Sequence, residues 1–213
     1  IKIIIHPLDL ILEVGLLMMI DEKITIFINN LNSKNLFMDS FFQIFASDYL
    51  IPVICALSIF SLWFLVLDSK RLLLNQKIVF YSISAIIITN FFVWLINSLI
   101  SRPRPFVTNS DEINLMFYAP TDPSFPANPV AIGFAVAMSI FPANKYLGYF
   151  LLVVSIIFSF SRVYVGVFYF VDVFSAAILG FTVAILVRKI MRIKIINYIL
   201  MKQIKILRTL ALS

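Results

Sequence analysis

Histidine is almost absent from this 213-residue chain, with His6 as its sole example. Any chemistry that needs two imidazoles is therefore beyond the chain by itself. The single cysteine, Cys55, lies inside an apolar run, so an internal disulfide is excluded and the redox compartment goes unmarked. Charged residues are scarce at 13%, against roughly a quarter in soluble domains. No linker rich in Gly, Ser or Pro divides the chain, and no internal repeat is visible. One domain, not a soluble one, is what these absences leave.

What is present is hydrophobic length. Apolar residues make up 62% of the chain. Uncharged stretches run from Tyr49 to Leu67, Ile78 to Ser101 and Pro123 to Asn144. Each approaches the ~20 residues that carry a helix across a bilayer core. Between Tyr146 and Val187 only Arg162 and Asp172 are charged, which is room for two further spans joined near those residues. The sequence thus predicts an all-α polytopic bundle of five or six transmembrane helices. The first twenty residues hold His6, Pro7, Asp9 and Glu13 among apolar residues. A sixth span, an interfacial helix, or sequence upstream of a start at Met18 or Met19 all fit them. A cleavable signal peptide does not, because no small-residue cleavage site follows. From Leu36 to Ala46, Phe37, Phe41, Phe42 and Phe45 recur at helical spacing and predict an aromatic helix at the interface. The chain divides into an N-terminal segment over 1–35, a membrane domain over 36–190 and a basic amphipathic tail over 191–213.

Basic residues set the expected orientation. Lys70, Arg71 and Lys77 share one loop, Lys145 lies in another, and Arg188, Lys189, Arg192, Lys194, Lys202, Lys205 and Arg208 crowd the tail. Alternating spans put all of these on one side, cytoplasmic by the positive-inside rule. The tail is expected to continue the last span from Arg188 and then lie on the inner leaflet. The segment from Pro103 to Ala127 and the turn from Arg162 to Asp172 fall on the opposite, outer face. The net charge of +6 reads as topology and contact with anionic lipid; nucleic-acid binding is not implied.

Three short motifs converge on that outer face. They are Arg104-Pro105, Ser124-Phe125-Pro126-Ala127-Asn128-Pro129, and Ser161-Arg162 with Asp172 ten positions past Arg162. Their order and spacing resemble the type 2 phosphatidic acid phosphatase superfamily, which also includes undecaprenyl-pyrophosphate phosphatases and vanadium haloperoxidases. In that family the first motif opens with Lys, where this chain has Asn97. The second ends in His, where Pro129 stands, and Ala127 replaces its Ser. The third carries His after Arg and five intervening residues, where Phe168 stands. The resemblance covers roughly residues 39–189.

The resemblance implies phosphoric ester or diphosphate hydrolysis without metal or cofactor, on a membrane lipid phosphate or polyprenyl phosphate. Its third-motif histidine would attack phosphorus, oriented by the aspartate. Its second-motif histidine would protonate the leaving oxygen, and the lysine and arginines would hold the phosphoryl oxygens. Phe168 and Pro129 can do neither task, and Asn97 brings no charge. The expected remnant is an anion site formed by Arg104, Arg162, Asn128 and the amides of the helix that Asn128 would cap before Pro129. Asp172 and Ser161 would support it, and Asp172, lacking its family partner, is expected to pair with Arg162 or Arg104. Arg102 reads as an interfacial charge near headgroups, and Phe168 and Phe170 as packing and lipid-facing residues.

Three functional classes follow. A phosphate-binding pseudophosphatase requires Arg104 and Arg162 to converge. An active enzyme requires a different nucleophile within reach of both, with Tyr164, Tyr169, Asp172 and Ser161 as the candidates. A membrane scaffold predicts that internal salt bridges consume the arginines.

Overall fold

The computed structural model describes the backbone of residues 7–64 and 69–209 and the side chains of 15–64 and 72–206. His6, the side chains of Lys70, Arg71 and Arg208, and the first part of the N-terminal segment lie outside the described residues. Among the described residues helices are the regular structure present, joined by irregular segments of which 109–127 is the longest, and there is no strand. In order the helices are α1 (Pro7–Asn29), α2 (Leu36–Phe45), α3 (Leu50–Phe64), α4 (Ser69–Leu99), α5 (Pro105–Thr108), α6 (Asn128–Ile140), α7 (Lys145–Tyr164), α8 (Phe170–Met191) and α9 (Lys194–Thr209).

Local chemistry sets several of these boundaries. The Asn35 side chain accepts from the backbone N–H groups of Phe37 and Met38 and starts α2, the expected aromatic helix. Asn144 does the same for α7 through the N–H of Leu147. At α8 the carboxylate of Asp172 reaches back to the N–H of Tyr169 at 3.1 Å, closing the first turn from inside the helix. The last span runs on through Arg188 and Lys189 and ends at Met191. After a turn α9 begins at Lys194 and packs against α4 and α8.

Three described helices, Leu72–Leu99 within α4, α7 and α8, are long and apolar enough to cross a membrane. The α2–α3 pair, bent by 55°, makes a fourth if taken as one broken span. The segment expected to span from Pro123 to Asn144 holds only the thirteen residues of α6, ~20 Å of helix. That falls short of a ~30 Å hydrocarbon core. Its N-terminal part is irregular because Pro123, Pro126 and Pro129 interrupt any earlier helical hydrogen bonding.

Short as it is, α6 is the centre of the bundle, enclosed by α3, α4, α7 and α8. Val130, Ala131, Ala135, Val136, Ala137 and Ile140 are all fully buried. Its small residues let α8 come close: a Cβ placed on Gly180 would lie 2.1 Å from the carbonyl oxygen of Ala131. Small residues at such crossings are how membrane helices gain contact without a hydrophobic driving force. Because α6 starts where α7 ends and α8 begins, the three motifs meet at one end of the bundle. Lys145 and Arg188 stand at the far ends of α7 and α8.

Candidate anion site

Arg162 occupies the last turn of α7 and is 1% exposed. Its Nη2 donates to Oδ1 of Asp48, which sits in the break between α2 and α3. The phenol of Tyr118 donates to the other carboxylate oxygen of Asp48. Nε of Arg162 is buried without a hydrogen-bond partner. The guanidinium lies between the rings of Phe117 and Phe158, 5.1 and 5.0 Å from their centres.

Arg104 precedes α5 and is 4% exposed. Its Nε donates to the Asp122 carbonyl at 2.8 Å, its Nη2 to Asp122 Oδ1 at 2.9 Å and its Nη1 to the Val167 carbonyl at 3.1 Å. Burial holds this guanidinium below its ordinary value, with the neighbouring Asp122 acting in the opposite direction.

Between the two arginines lies Phe168. It is delivered by the turn after α7, where Gly166 adopts φ +81° and a Cβ would meet Cγ2 of Ile113 at 2.8 Å. The Phe168 ring is buried beneath both guanidinium groups and does not face lipid. Arg104, Arg162, Phe168, Pro129, Asp48 and Asp122 line one cavity of about 90 Å³. That is room for a few waters, at ~30 Å³ each. The two arginines are therefore brought together as the motif spacing implies.

Other expected members lie elsewhere. Asn128 is not a cap: α6 begins on it, Ala127 is the capping residue without a side-chain bond, and Pro129 follows inside the first turn. Its amide donates to Oδ1 of Asn90 at 3.0 Å. Asn97 and Asn128 line a second cavity beside α4. Asp172 pairs with neither Arg162 nor Arg104. Its Oδ1 accepts from Arg102 at 2.6 Å, and Arg102 also donates to Asp21 of α1 at 2.6 Å. Arg102 is thus a bridge between α1 and α8, with its guanidinium 3.9 Å from the centre of the Tyr169 ring. Burial works against its charge, but Asp172 and Asp21 together raise its affinity for the proton above the ordinary value.

The four candidate nucleophiles are all engaged away from the cavity. The Ser161 hydroxyl donates to the Ile157 carbonyl within α7. Tyr164 donates to Asp39 at 2.7 Å, Tyr169 is hydrogen-bonded to Thr108, and Asp172 holds Arg102. The residues that sequence reasoning does not supply are Asp48, Tyr118 and Asp122. Tyr118 and Asp122 carry the signal of lying in the segment assigned to the same face as the arginines, and Asp48 only that of an acid bordering an uncharged stretch.

Comparison with known proteins identifies the family. Residues 78–196, more than half of the chain, match the PAP2 superfamily. Among curated relatives, the bacitracin transport permease protein BcrC of Bacillus licheniformis is 29% identical over 141 residues, covering 64% of this chain and 69% of that protein. The undecaprenyl-diphosphatase BcrC of Bacillus subtilis is 25% identical over 161 residues, covering 75% and 78%. Among solved structures, LpxE of Aquifex aeolicus superposes with a TM-score of 0.61 at 26% identity, over 78% of this chain and 93% of that one. The first transmembrane PAP2 type phosphatidylglycerolphosphate phosphatase of Bacillus subtilis gives 0.58 at 16% identity, over 82% and 85%, a likeness of fold. With its motif arginines gathered at one end of a helical membrane bundle, this chain belongs to the PAP2 superfamily.

Proposed function

We propose that this protein binds the phosphate of a membrane lipid phosphate or polyprenyl phosphate at the Arg104–Arg162 cavity and does not hydrolyse it by histidine chemistry. One observation carries the reading. Two buried guanidinium groups face a common cavity whose walls at the two expected histidine positions are Pro129 and Phe168. Neither residue can attack phosphorus or give a proton, whereas two arginines suffice to hold phosphoryl oxygens. The relative named as an undecaprenyl-diphosphatase supports a polyprenyl chain as one ligand class. The loop charges support an extracytoplasmic position for the motif end.

Asp48 and Asp122 occupy the guanidinium donors that a phosphate would use. Their side chains are 37% and 68% exposed, while those of the arginines are 1% and 4% exposed. The acids are free to swing outward and the arginines are not. An incoming phosphate dianion would displace the carboxylates and gain charge-assisted bonds in their place.

The same ion pairs favour a second reading, a scaffold whose arginines serve only to tie loops together. Titration with dodecyl phosphate in nanodiscs decides between them, using wild type, Arg104→Ala, Arg162→Ala and the double variant. A loss of tenfold or more in the double variant, with release of phosphate at background, is the expected result. Equal or absent binding in all four supports the scaffold. Turnover at a rate typical of enzymes, ~1 per second or more, would overturn both.

A further inference from the structure

Charge in this molecule is sorted by end. The described acids, from Asp21 and Glu22 of α1 to Asp172 of α8, lie at the motif end or in the loops around it. The far end carries Lys145, Lys189, Arg192, Lys194, Lys202 and Lys205, with no acid among the described residues there. Arg188 is turned inward, where its Nη2 donates to the Met138 carbonyl near the end of α6.

Helix α9 gives this charge a built surface. Leu200 and Ile204 are buried, and the helix packs on α4 and α8. Another face is left turned out. Tyr198, Met201, Lys202, Lys205 and Ile206 follow one another at i, i+3, i+4, i+7 and i+8, the spacing of one helical side. With Leu73 of α4 they line a groove of about 680 Å³. That lies within the ~300–1,000 Å³ of small-molecule sites. Its walls are hydrocarbon except for the two ammonium groups and the Tyr198 hydroxyl. Beside it Ile195, Ile199 and Ile206 form a second apolar stripe, each at least half exposed. The first apolar stripe of α9 is used by the bundle. The second, next to exposed lysines, has the make-up of a helix lying in a membrane interface. Lysine stems run along such apolar surface and hold their charges at headgroup level.

A groove of this kind calls for an occupant with a hydrocarbon chain and a negative headgroup. A soluble anion would leave the apolar wall in water, and a zwitterionic lipid would bring the lysines no net counter-charge. We propose that the groove between α4 and α9 binds one anionic phospholipid from the leaflet at the far end of the bundle. Its headgroup sits on Lys202 and Lys205, and a chain runs along Leu73, Met201 and Ile206. A loose basic tail only adds surface charge, whereas a helix docked on the bundle builds a site that selects and holds a lipid. This site is independent of phosphate binding at Arg104 and Arg162, which stand at the other end.

The test titrates dioctanoyl phosphatidylglycerol and dioctanoyl phosphatidylcholine into the full chain in detergent micelles, with bound lipid counted by native mass spectrometry. Wild type is compared with Lys202→Gln/Lys205→Gln, Lys145→Gln/Lys189→Gln, Ile206→Asn and Arg104→Ala/Arg162→Ala. Wild type is expected to prefer phosphatidylglycerol about thirtyfold, from two lysines that each contribute about fivefold near a membrane surface. Lys202→Gln/Lys205→Gln should bind both lipids alike, with unchanged affinity for phosphatidylcholine, which shows that it is folded. Lys145→Gln/Lys189→Gln removes as much charge from the same end but outside the groove, and should keep the preference. Ile206→Asn should weaken both lipids about threefold or more and leave the preference intact. The arginine variant should also keep it. Equal wild-type affinities overturn the proposal. An equal loss of preference in the two lysine pairs does so too, since it means diffuse surface charge. A preference that follows the arginines places the lipid in the motif cavity instead. Inorganic phosphate that competes as well as phosphatidylglycerol would assign the groove to a soluble anion. A changed oligomeric state in Lys202→Gln/Lys205→Gln, without lipid preference in the wild type, would assign it to a second copy of the chain.

Discussion

The guanidinium carbon of Arg104 stands 4.4 Å from the centre of the Phe168 ring, and that of Arg162 stands 6.0 Å from the same ring. A benzyl group at the position where the family resemblance implies a histidine thus faces two cations. The negative face of an aromatic ring attracts each of them, by ~0.5–2 kcal/mol depending on desolvation. An imidazole there would have served chemistry. A phenyl ring holds the arginines near one another while offering no lone pair.

Phe168→Leu is therefore expected to lower stability by about 1–3 kcal/mol, from the lost ring contacts and an imperfectly filled site. Dodecyl phosphate affinity should fall with it, since the arginines lose their common support. Phe168→His should fold yet release no phosphate, because Asp172 is engaged with Arg102 and Pro129 provides no acid. Thermal unfolding in detergent and a phosphate-release assay check both. Measurable turnover by Phe168→His would mean that Asp172 is free to orient an imidazole after all.

Hydropathy alone is enough for α7, α8 and most of α4, because a span is a local property of about twenty residues. Motif spacing alone is enough to bring Arg104 and Arg162 together. The partners of those arginines are not local. Arg162 and Asp48 are 114 positions apart, and Arg102 and Asp172 are 70 apart. Which acid meets which base is decided by how α1, α2 and the loops pack. Spacing therefore offers Asp172 as a partner for Arg162, ten residues away, while packing gives Asp172 to Arg102. Asn128 misleads for another reason: proline fits either of the first helical positions, so Asn-Pro reads as a cap even where the helix starts on the Asn. The uncharged run from Pro123 to Asn144 yields a helix of only thirteen residues because hydropathy counts Pro123, Pro126 and Pro129 as uncharged without registering that they interrupt a helix.

The four ion pairs described at this end of the molecule should differ widely in worth. Asp172 is fully buried and shared between Arg102 and the Tyr169 N–H. Asp172→Ala leaves a half-buried guanidinium with Asp21 as its remaining partner and opens the first turn of α8, at a cost of about 3–5 kcal/mol. Asp122→Ala takes one charge-assisted bond from the buried Arg104 guanidinium but leaves its bonds to the carbonyls of residues 122 and 167, and should cost less, about 1.5–3 kcal/mol. Thermal unfolding of the two variants side by side gives the order. Equal effects would mean that the Arg102 bridge is not what fastens α1 to α8.

Gly180→Ala tests the packing that centres the fold. A methyl group there would fall 2.1 Å from the Ala131 carbonyl oxygen, with backbone on both sides of the clash. No side chain can rotate away, so α8 and α6 must separate, at about 1–3 kcal/mol or more. Reduced yield of folded protein and a lower melting temperature are expected, with dodecyl phosphate affinity lowered because α6 carries Pro129 into the cavity. An unchanged melting temperature would show that α6 and α8 are packed less tightly than described.

Asp48→Asn separates the two roles an internal carboxylate can play. Asp48 accepts from Arg162 and from Tyr118, and an asparagine of the same shape keeps a hydrogen-bond acceptor for one of them. What it removes is the negative charge in the cavity. A phosphate about 4 Å from a carboxylate is repelled by ~1 kcal/mol in water and ~4 kcal/mol at the dielectric of a protein surface. Removing that charge should therefore tighten dodecyl phosphate binding by about tenfold or more. Stability should fall in the same variant, because the buried guanidinium of Arg162 loses its counter-ion. Opposite movement of affinity and stability is the signature of a carboxylate standing in a ligand's place. If affinity and stability fall together, Asp48 belongs to the binding machinery itself, and if affinity does not move, the arginine pair is structural.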